Sequence, residues 1–307
     1  MINVNTIQLS KLIASSAPDV IMQEVRRIFS YHYPPQYFSR IHHNFIITKK
    51  LFDGKFPGYK ACDTRYHDLS HTLEALLAAV RLLDGYNIKN EPLSARLAED
   101  LLNAALLHDT GYIQEDSDHV GTGARYTVSH VERSIQFLKK NHEAFEIDED
   151  DLEIFAELIQ CTGLTVRLET VPFSSAEERL AGCILGTADL LGQMSDRQYL
   201  EKLIFLYYEF KEAGVEGFDT EFDLVRKTVD FYEVTKKRLS ESYSNIYFFA
   251  RDHFEKRFGI DSNLYMVAIE RHMEYLHNII ADGATNFRHK LKRAEWVHTY
   301  APSLEPT

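Results

Sequence analysis

Cysteine is scarce in this chain: Cys62, Cys161 and Cys183 are the only three in 307 residues, and no two stand in a CxxC spacing. An odd, dispersed set builds neither a disulfide framework nor a thiolate zinc site, so any metal must be held by nitrogen and oxygen. An apolar run of about 18 residues, the minimum for a membrane-spanning helix, is also missing. The opening MINVNTIQLS lacks the basic patch and apolar stretch of a secretory signal, so a cytoplasmic protein without membrane contact is expected. Positive charge is in deficit, with a net charge of -12 that opposes the phosphate backbone, so no nucleic acid polymer is expected as a partner. A small anion is still admissible, because one local metal site outweighs distant surface charge. Alternation of apolar and polar residues at a period of two is absent too, which excludes a sheet of half-buried strands.

What is present is helical periodicity in a globular composition, 45% hydrophobic. Leu73, Leu76, Leu77 and Val80 stand at i, i+3, i+4 and i+7, as do Leu200, Leu203, Ile204 and Tyr207, so the chain reads as all-α. Ser175 followed by Glu178 marks a capping box, and another helix start is expected near Asp148. Breaks at Pro34 and Pro35, 56–59, Gly111, 121–123, Pro172 and 214–217 punctuate the pattern. They divide the chain into a helical arm (1–58), a helical core (59–213) and a C-terminal helical extension (214–307), with no internal repeat. Between Tyr199 and Phe258 fifteen of sixty residues are Phe or Tyr, which reads as aromatic core rather than a stacking pocket. The acidic run from Asn141 to Gln160 and the basic cluster Arg288, Lys290, Lys292 and Arg293 read as solvated helix faces.

Histidines and aspartates placed where a core belongs are more informative. Leu97, Leu101, Ala104 and His108 share a helix face, so His108 continues a buried stripe, and Asp109 follows at a helix end frayed by Thr110 and Gly111. In LAGCILGTADLL, from Leu180 to Leu191, Asp189 is the only charge, and Gly182 and Gly186 let a neighbouring helix approach. A carboxylate buried there must be paired, hydrogen-bonded, neutralised or bound to metal. His67 and His71 stand four apart at a helix start, which on a helix directs both rings to one spot. Nitrogen and carboxylate ligands suit Mn, Fe, Co, Ni or Zn better than Ca.

The order His71, then His108 with Asp109, then Asp189 resembles the H...HD...D signature of the HD-domain superfamily of metal-dependent phosphohydrolases. The resemblance covers roughly residues 60 to 200 and includes a YHxxxH start and the apolar runs before the HD pair and before the last Asp. It implies an HD-type helical bundle whose metal ligands are His71, His108, Asp109 and Asp189, with Asp109 free to bridge two ions and His130 placed for a second. The implied cofactor is a divalent ion (Mn, Fe, Co, Ni, Zn or Mg), one well held and a second weaker, since near Gln160 and Cys161 no histidine stands where another ligand is usual.

By the same resemblance His67 matches the proton donor of the cyclic-nucleotide phosphodiesterase branch, although Asp68 stands where that motif has Asn. Arg65 is the candidate clamp for a phosphate oxygen. TGYIQED after the HD pair matches none of the branches compared, so the substrate is expected only as a small phosphate ester, a nucleotide or cyclic nucleotide, hydrolysed by a metal-activated water. Two alternatives stand beside this: a di-iron oxygenase of the same fold, and a metal- and ligand-binding regulator without turnover. A homodimer is allowed for. His119, His142, His253, His272, His277 and His289 are read as surface or core residues.

Overall fold

The computed structural model describes residues 7–13 and 17–300. The start of the expected arm, 1–6, and the tail of the expected extension, 301–307, lie outside them. Among the described residues there are twelve α-helices, joined by short 3-10 turns and one π-helical turn, Arg238–Ser242, and two isolated β-bridges, Asp53 with Ala61 and Tyr59 with Glu115. The fold is all-α. None of these helices is long and apolar enough to cross a membrane.

The helices are α1 (Pro18–Phe29), α2 (Phe38–Phe52), α3 (Leu69–Lys89), α4 (Ala95–Leu107), α5 (His130–Asn141) and α6 (Leu152–Gln160), then α7 (Ala176–Ser195), α8 (Tyr199–Glu212), α9 (Glu221–Lys237), α10 (Phe249–Phe258), α11 (Leu264–Ala281) and α12 (Phe287–Lys290). Helices α3 and α7 lie against each other at the centre. Both are buried on nearly every side, as helices apolar all round must be. Around them α1, α4 and α10 cover α3, while α4, α6 and α11 cover α7. Buried side chains from all three segments of the sequence therefore share one core, from Ile21 through Leu76 and Leu185 to Phe254.

Local chemistry explains the helix ends that matter. Asp68, in extended conformation, caps α3 by accepting the His71 N–H at 2.9 Å. Ser175 and Glu178 form the reciprocal box that starts α7. The acidic start near Asp148 is a 3-10 turn, Glu149–Asp151, running into α6. Close approach of α7 to α3 is owed to Gly192, not to Gly182 or Gly186: a Cβ there would stand 2.9 Å from the Ala75 backbone nitrogen. Gly182 and Gly186 instead admit Cys161, Phe173 and Tyr243.

Of the fifteen aromatic residues between Tyr199 and Phe258, Phe248 is exposed and the others are buried or half-buried. Tyr243 shows what the extension does for the core. Its hydroxyl donates to the Cys161 carbonyl at 2.6 Å, while the neighbouring Arg238 guanidinium donates to the carbonyls of Gly163, Leu164 and Val166. The carbonyls left open after α6 are thereby satisfied from a distant part of the chain.

Candidate metal centre

Helix α4 ends at Leu107, and His108 and Asp109 form the turn that leaves it, with φ of -61° and -107°. That turn is held from α5. Ser134 Oγ donates to the His108 carbonyl at 2.5 Å and accepts the Gly111 N–H at 2.8 Å. Gly111 is required here, because a Cβ would fall 2.0 Å from the His130 carbonyl oxygen. His108 Nδ1–H donates to the Ala105 carbonyl at 2.9 Å, which turns Nε2 inward.

Facing it are His71, in the first turn of α3, and Asp189, in the middle of α7. His71 Nε2 stands 3.1 Å from Asp109 Oδ2 and 3.1 Å from Asp189 Oδ1. His108 Nε2 stands 3.4 Å and 3.6 Å from the same two oxygens, and the two Nε2 atoms are 3.4 Å apart. The four side chains are between 1% and 11% exposed. Bonds of about 2.1 Å set ligand–ligand edges of about 3.0 Å in an octahedron and about 3.4 Å in a tetrahedron. The observed separations fall on that scale.

The polar atoms also lack other employment. Asp109 Oδ2 and Asp189 Oδ1 are buried and complete no hydrogen bond among the described residues, although each meets two imidazole nitrogens. Their charge is felt in the protonation of those rings. Burial pulls His71 down, yet Asp109 and Asp189 outweigh it and lift the imidazole to about 9. His108 is raised likewise against its burial, chiefly by Asp109. Both carboxyls are driven below the ordinary carboxylate range by the facing imidazoles, although burial opposes this. The group could hold a cation in place of those protons, and its nitrogen and oxygen donors suit a divalent transition ion.

His130, at the start of α5, brings Nε2 to 3.8 Å from the other Asp109 oxygen, Oδ1. Its Nδ1–H donates to the Thr127 carbonyl at 2.7 Å, so Nε2 is again the free nitrogen, and burial lowers its pKa. Asp109 thus presents one oxygen to His71 and His108 and the other to His130.

His67 reaches the centre by a route the spacing did not describe. It precedes the cap Asp68 and lies outside α3, so it shares no helix face with His71. Its ring nevertheless sits edge-on to His71 with centroids 5.7 Å apart. It also stacks on Tyr112 at 4.3 Å, and Tyr112 stacks in turn on His130 at 4.7 Å. The ring is oriented by Glu209 of α8, whose Oε2 accepts from His67 Nδ1 at 2.7 Å. Glu209 Oε1 accepts the backbone N–H groups of Arg65 and Tyr66 at 2.9 and 2.7 Å. With Nδ1–H committed, Nε2 points past the Tyr112 hydroxyl, 3.4 Å away.

Glu209 was not foreseen. The available signal was a carboxylate four residues after Phe205 on a buried helical face, the same kind of signal that singled out Asp189. Arg65, expected to clamp a phosphate oxygen, carries its guanidinium over the rings of Phe205 and Tyr300, 5.5 and 5.3 Å from their centroids. Its backbone N–H supports the site through Glu209.

The model of the Npun_R2479-like family matches residues 116–246, less than half of the chain. That span includes His130, Asp189 and Glu209 and begins after the His108–Asp109 pair. No curated protein matches the chain.

Proposed function

We propose that this chain is a metal-dependent phosphohydrolase of the HD type, acting on a small phosphate ester such as a nucleotide or cyclic nucleotide. One observation carries the reading: two buried carboxylate oxygens that complete no hydrogen bond among the described residues converge with two imidazole nitrogens, beside a third imidazole fixed by a glutamate. The ligands would be His71, His108, Asp109 and Asp189, with Asp109 Oδ1 and His130 available to a second, weaker ion. An ion held there supplies Lewis acidity toward a phosphoryl oxygen and brings the pKa of a water from 15.7 toward about 7.

The remaining work falls to the chain's own groups. Glu209 accepts from His67 Nδ1, so the proton that His67 delivers to the leaving oxygen is the one on Nε2. Stacking on Tyr112 limits the ring to that direction. The neutral ring left after transfer keeps its bond to Glu209 and can be reprotonated at Nε2. Three free cysteines without a disulfide fit a cytoplasmic setting.

The test is metal analysis of the purified protein, followed by phosphate and nucleoside detection across nucleotides and cyclic nucleotides. Activity should vanish in chelator and return with Mn, Co or Ni more readily than with Ca. His67→Gln should retain the metal and lose about 100- to 10,000-fold in turnover. Full hydrolysis in excess chelator would sink the metal mechanism, and loss of metal from His67→Gln would reassign His67 as a ligand.

A further inference from the structure

The hydrogen bond from His67 Nδ1 to Glu209 does not by itself make His67 a proton donor. A histidine that binds metal through Nε2 ordinarily donates its Nδ1–H to a carboxylate or a carbonyl, as His108 and His130 do to carbonyls here. The His67 ring also lies among the candidate ligands, its centroid 5.7 Å from that of His71 and 6.1 Å from that of His130. Its pairing is nevertheless different. His71, His108 and His130 stand 3.1, 3.4 and 3.8 Å from an Asp109 oxygen, whereas the carboxylate paired with His67 among the described residues is Glu209 alone.

Tyr112 accounts for the difference. Asp109 starts the 3-10 turn Thr110–Tyr112, in which the Tyr112 N–H donates to the Asp109 carbonyl at 3.1 Å. Side chains three apart eclipse in such a turn, so Tyr112 stands on the side of the aspartate that faces His71 and His130. The phenol ring is buried and lies against His67 with centroids 4.3 Å apart and planes within 10°, and against His130 at 4.7 Å. The hydroxyl, 3.4 Å from His67 Nε2, is beyond the length of a firm hydrogen bond, which leaves the ring face as the restraint. For Nε2 to join His130 at Asp109 Oδ1, the imidazole would have to turn off that face.

We propose that Tyr112 is a positioning residue whose ring keeps His67 out of the ligand set of the second, weaker ion, so that this imidazole remains a proton donor. An imidazole whose Nε2 lone pair is given to an ion has no proton there to deliver. The spacing of Asp109 and Tyr112 thus joins, in one turn, a ligand and the plane that holds the acid apart from it. The inference rests on the metal-dependent reading above and concerns which imidazoles an ion meets.

Titration of the metal-free full chain with Co(II), followed by visible absorption and by the ions bound per chain, tests it. The parent should bind one ion tightly and a second weakly. Tyr112→Leu removes the plane, so His67 should join the second ion. That ion should then bind about tenfold more tightly, the absorption should shift as a nitrogen donor is added, and turnover should fall about 100-fold or more for want of the acid. Tyr112→Phe keeps the plane and should show the parent's affinity and spectrum. Adding His67→Gln to Tyr112→Leu should abolish the gain in affinity. Circular dichroism establishes that the variants are folded. Should Tyr112→Leu fail to fold, His67→Gln alone decides: both ions should bind as in the parent, and a weaker second ion would overturn the proposal. An unchanged second ion in folded Tyr112→Leu, a gain that survives His67→Gln, or a Tyr112→Phe that behaves as Tyr112→Leu would overturn it and leave the metal reading intact. A parent that binds no Co(II) would overturn the metal reading and this proposal with it.

Discussion

Helix α3 carries a buried aspartate–histidine cluster at each end, built from similar residues to different effect. Near its C-terminal end Asp84 is 1% exposed and accepts from His253 Nδ1 at 2.6 Å, His32 Nε2 at 2.8 Å, and Arg257 Nη2 and Nε at 2.6 and 3.0 Å. Near its N-terminal end Asp109 and Asp189 meet only imidazoles, and one oxygen of each completes no hydrogen bond among the described residues. The difference is Arg257. A buried carboxylate needs a positive partner. Where the chain provides a guanidinium the cluster closes and its histidines serve the core. Where it provides imidazole nitrogens alone, the positive charge is either a proton on the rings or an ion that takes its place.

Replacing the charged centre of each cluster should separate them most sharply. Asp84→Asn leaves Arg257 facing His253 and His32 without a counter-charge, and about 3–5 kcal/mol of stability should be lost. Metal content should not change. A thermal melt within one degree of the parent would mean that Asp84 is as dispensable as a surface charge.

Acid should act on the closed cluster next. Burial lowers His253 to about 4 despite its bond to Asp84, so the ring is neutral in the fold. The unfolded chain binds a proton there below about 6.5. The stabilising contribution is therefore complete above about 6.5 and is lost as pH falls through 4, on the order of 3 kcal/mol over that window. His272, also lowered to about 4 chiefly by burial, adds a loss of the same sign. Denaturant midpoints measured across the window should decline in the parent and less steeply in His253→Leu. Parallel curves would remove His253 from the account.

At the open cluster the same kind of substitution should act mainly through the metal. Asp189→Asn removes one of two carboxylates that lift the His71 imidazole to about 9, so near neutral pH the metal-free variant should lose the stability that the protonated ring gains, and the loss should shrink as pH rises through 9. An ion at 100 times its dissociation constant adds about 2.7 kcal/mol to the parent, and the variant should lose most of that. Equal upward shifts of both proteins on adding metal would show that Asp189 is not a ligand.

The smallest effect expected is at Glu209. Glu209→Gln keeps an acceptor for the Arg65 and Tyr66 N–H groups but removes the charge that faces His67 Nδ1. Turnover should fall about 10- to 100-fold with metal content intact. The loss should fall on kcat with KM unchanged, which a merely loosened loop would not give. A loss shared equally with KM would reduce Glu209 to a support for the loop.

Much of this was legible in the sequence, because helix patterning and capping are local. The period of apolar residues in α3 and α8, the Ser175 box, the end of α4 at the His108–Asp109 pair and the isolation of Asp189 in an apolar run all depend on neighbours within about one turn. Sequence alone determined that the chain is helical and that His71, His108, Asp109 and Asp189 belong to buried surfaces. Which partner each buried charge meets is not local. Glu209 reaches His67 across 142 residues and Arg257 reaches Asp84 across 173. His67 shares no helix face with His71, and Gly192 rather than Gly182 or Gly186 sets the approach of α7 to α3. Arg65 spends its guanidinium on Phe205 and Tyr300. Only the packing of α3 against α7 and α10 decided which aspartates were completed by a guanidinium and which were left to imidazoles. The electrostatic field that draws an ion to a buried carboxylate is summed over groups close in space, whatever their separation along the chain.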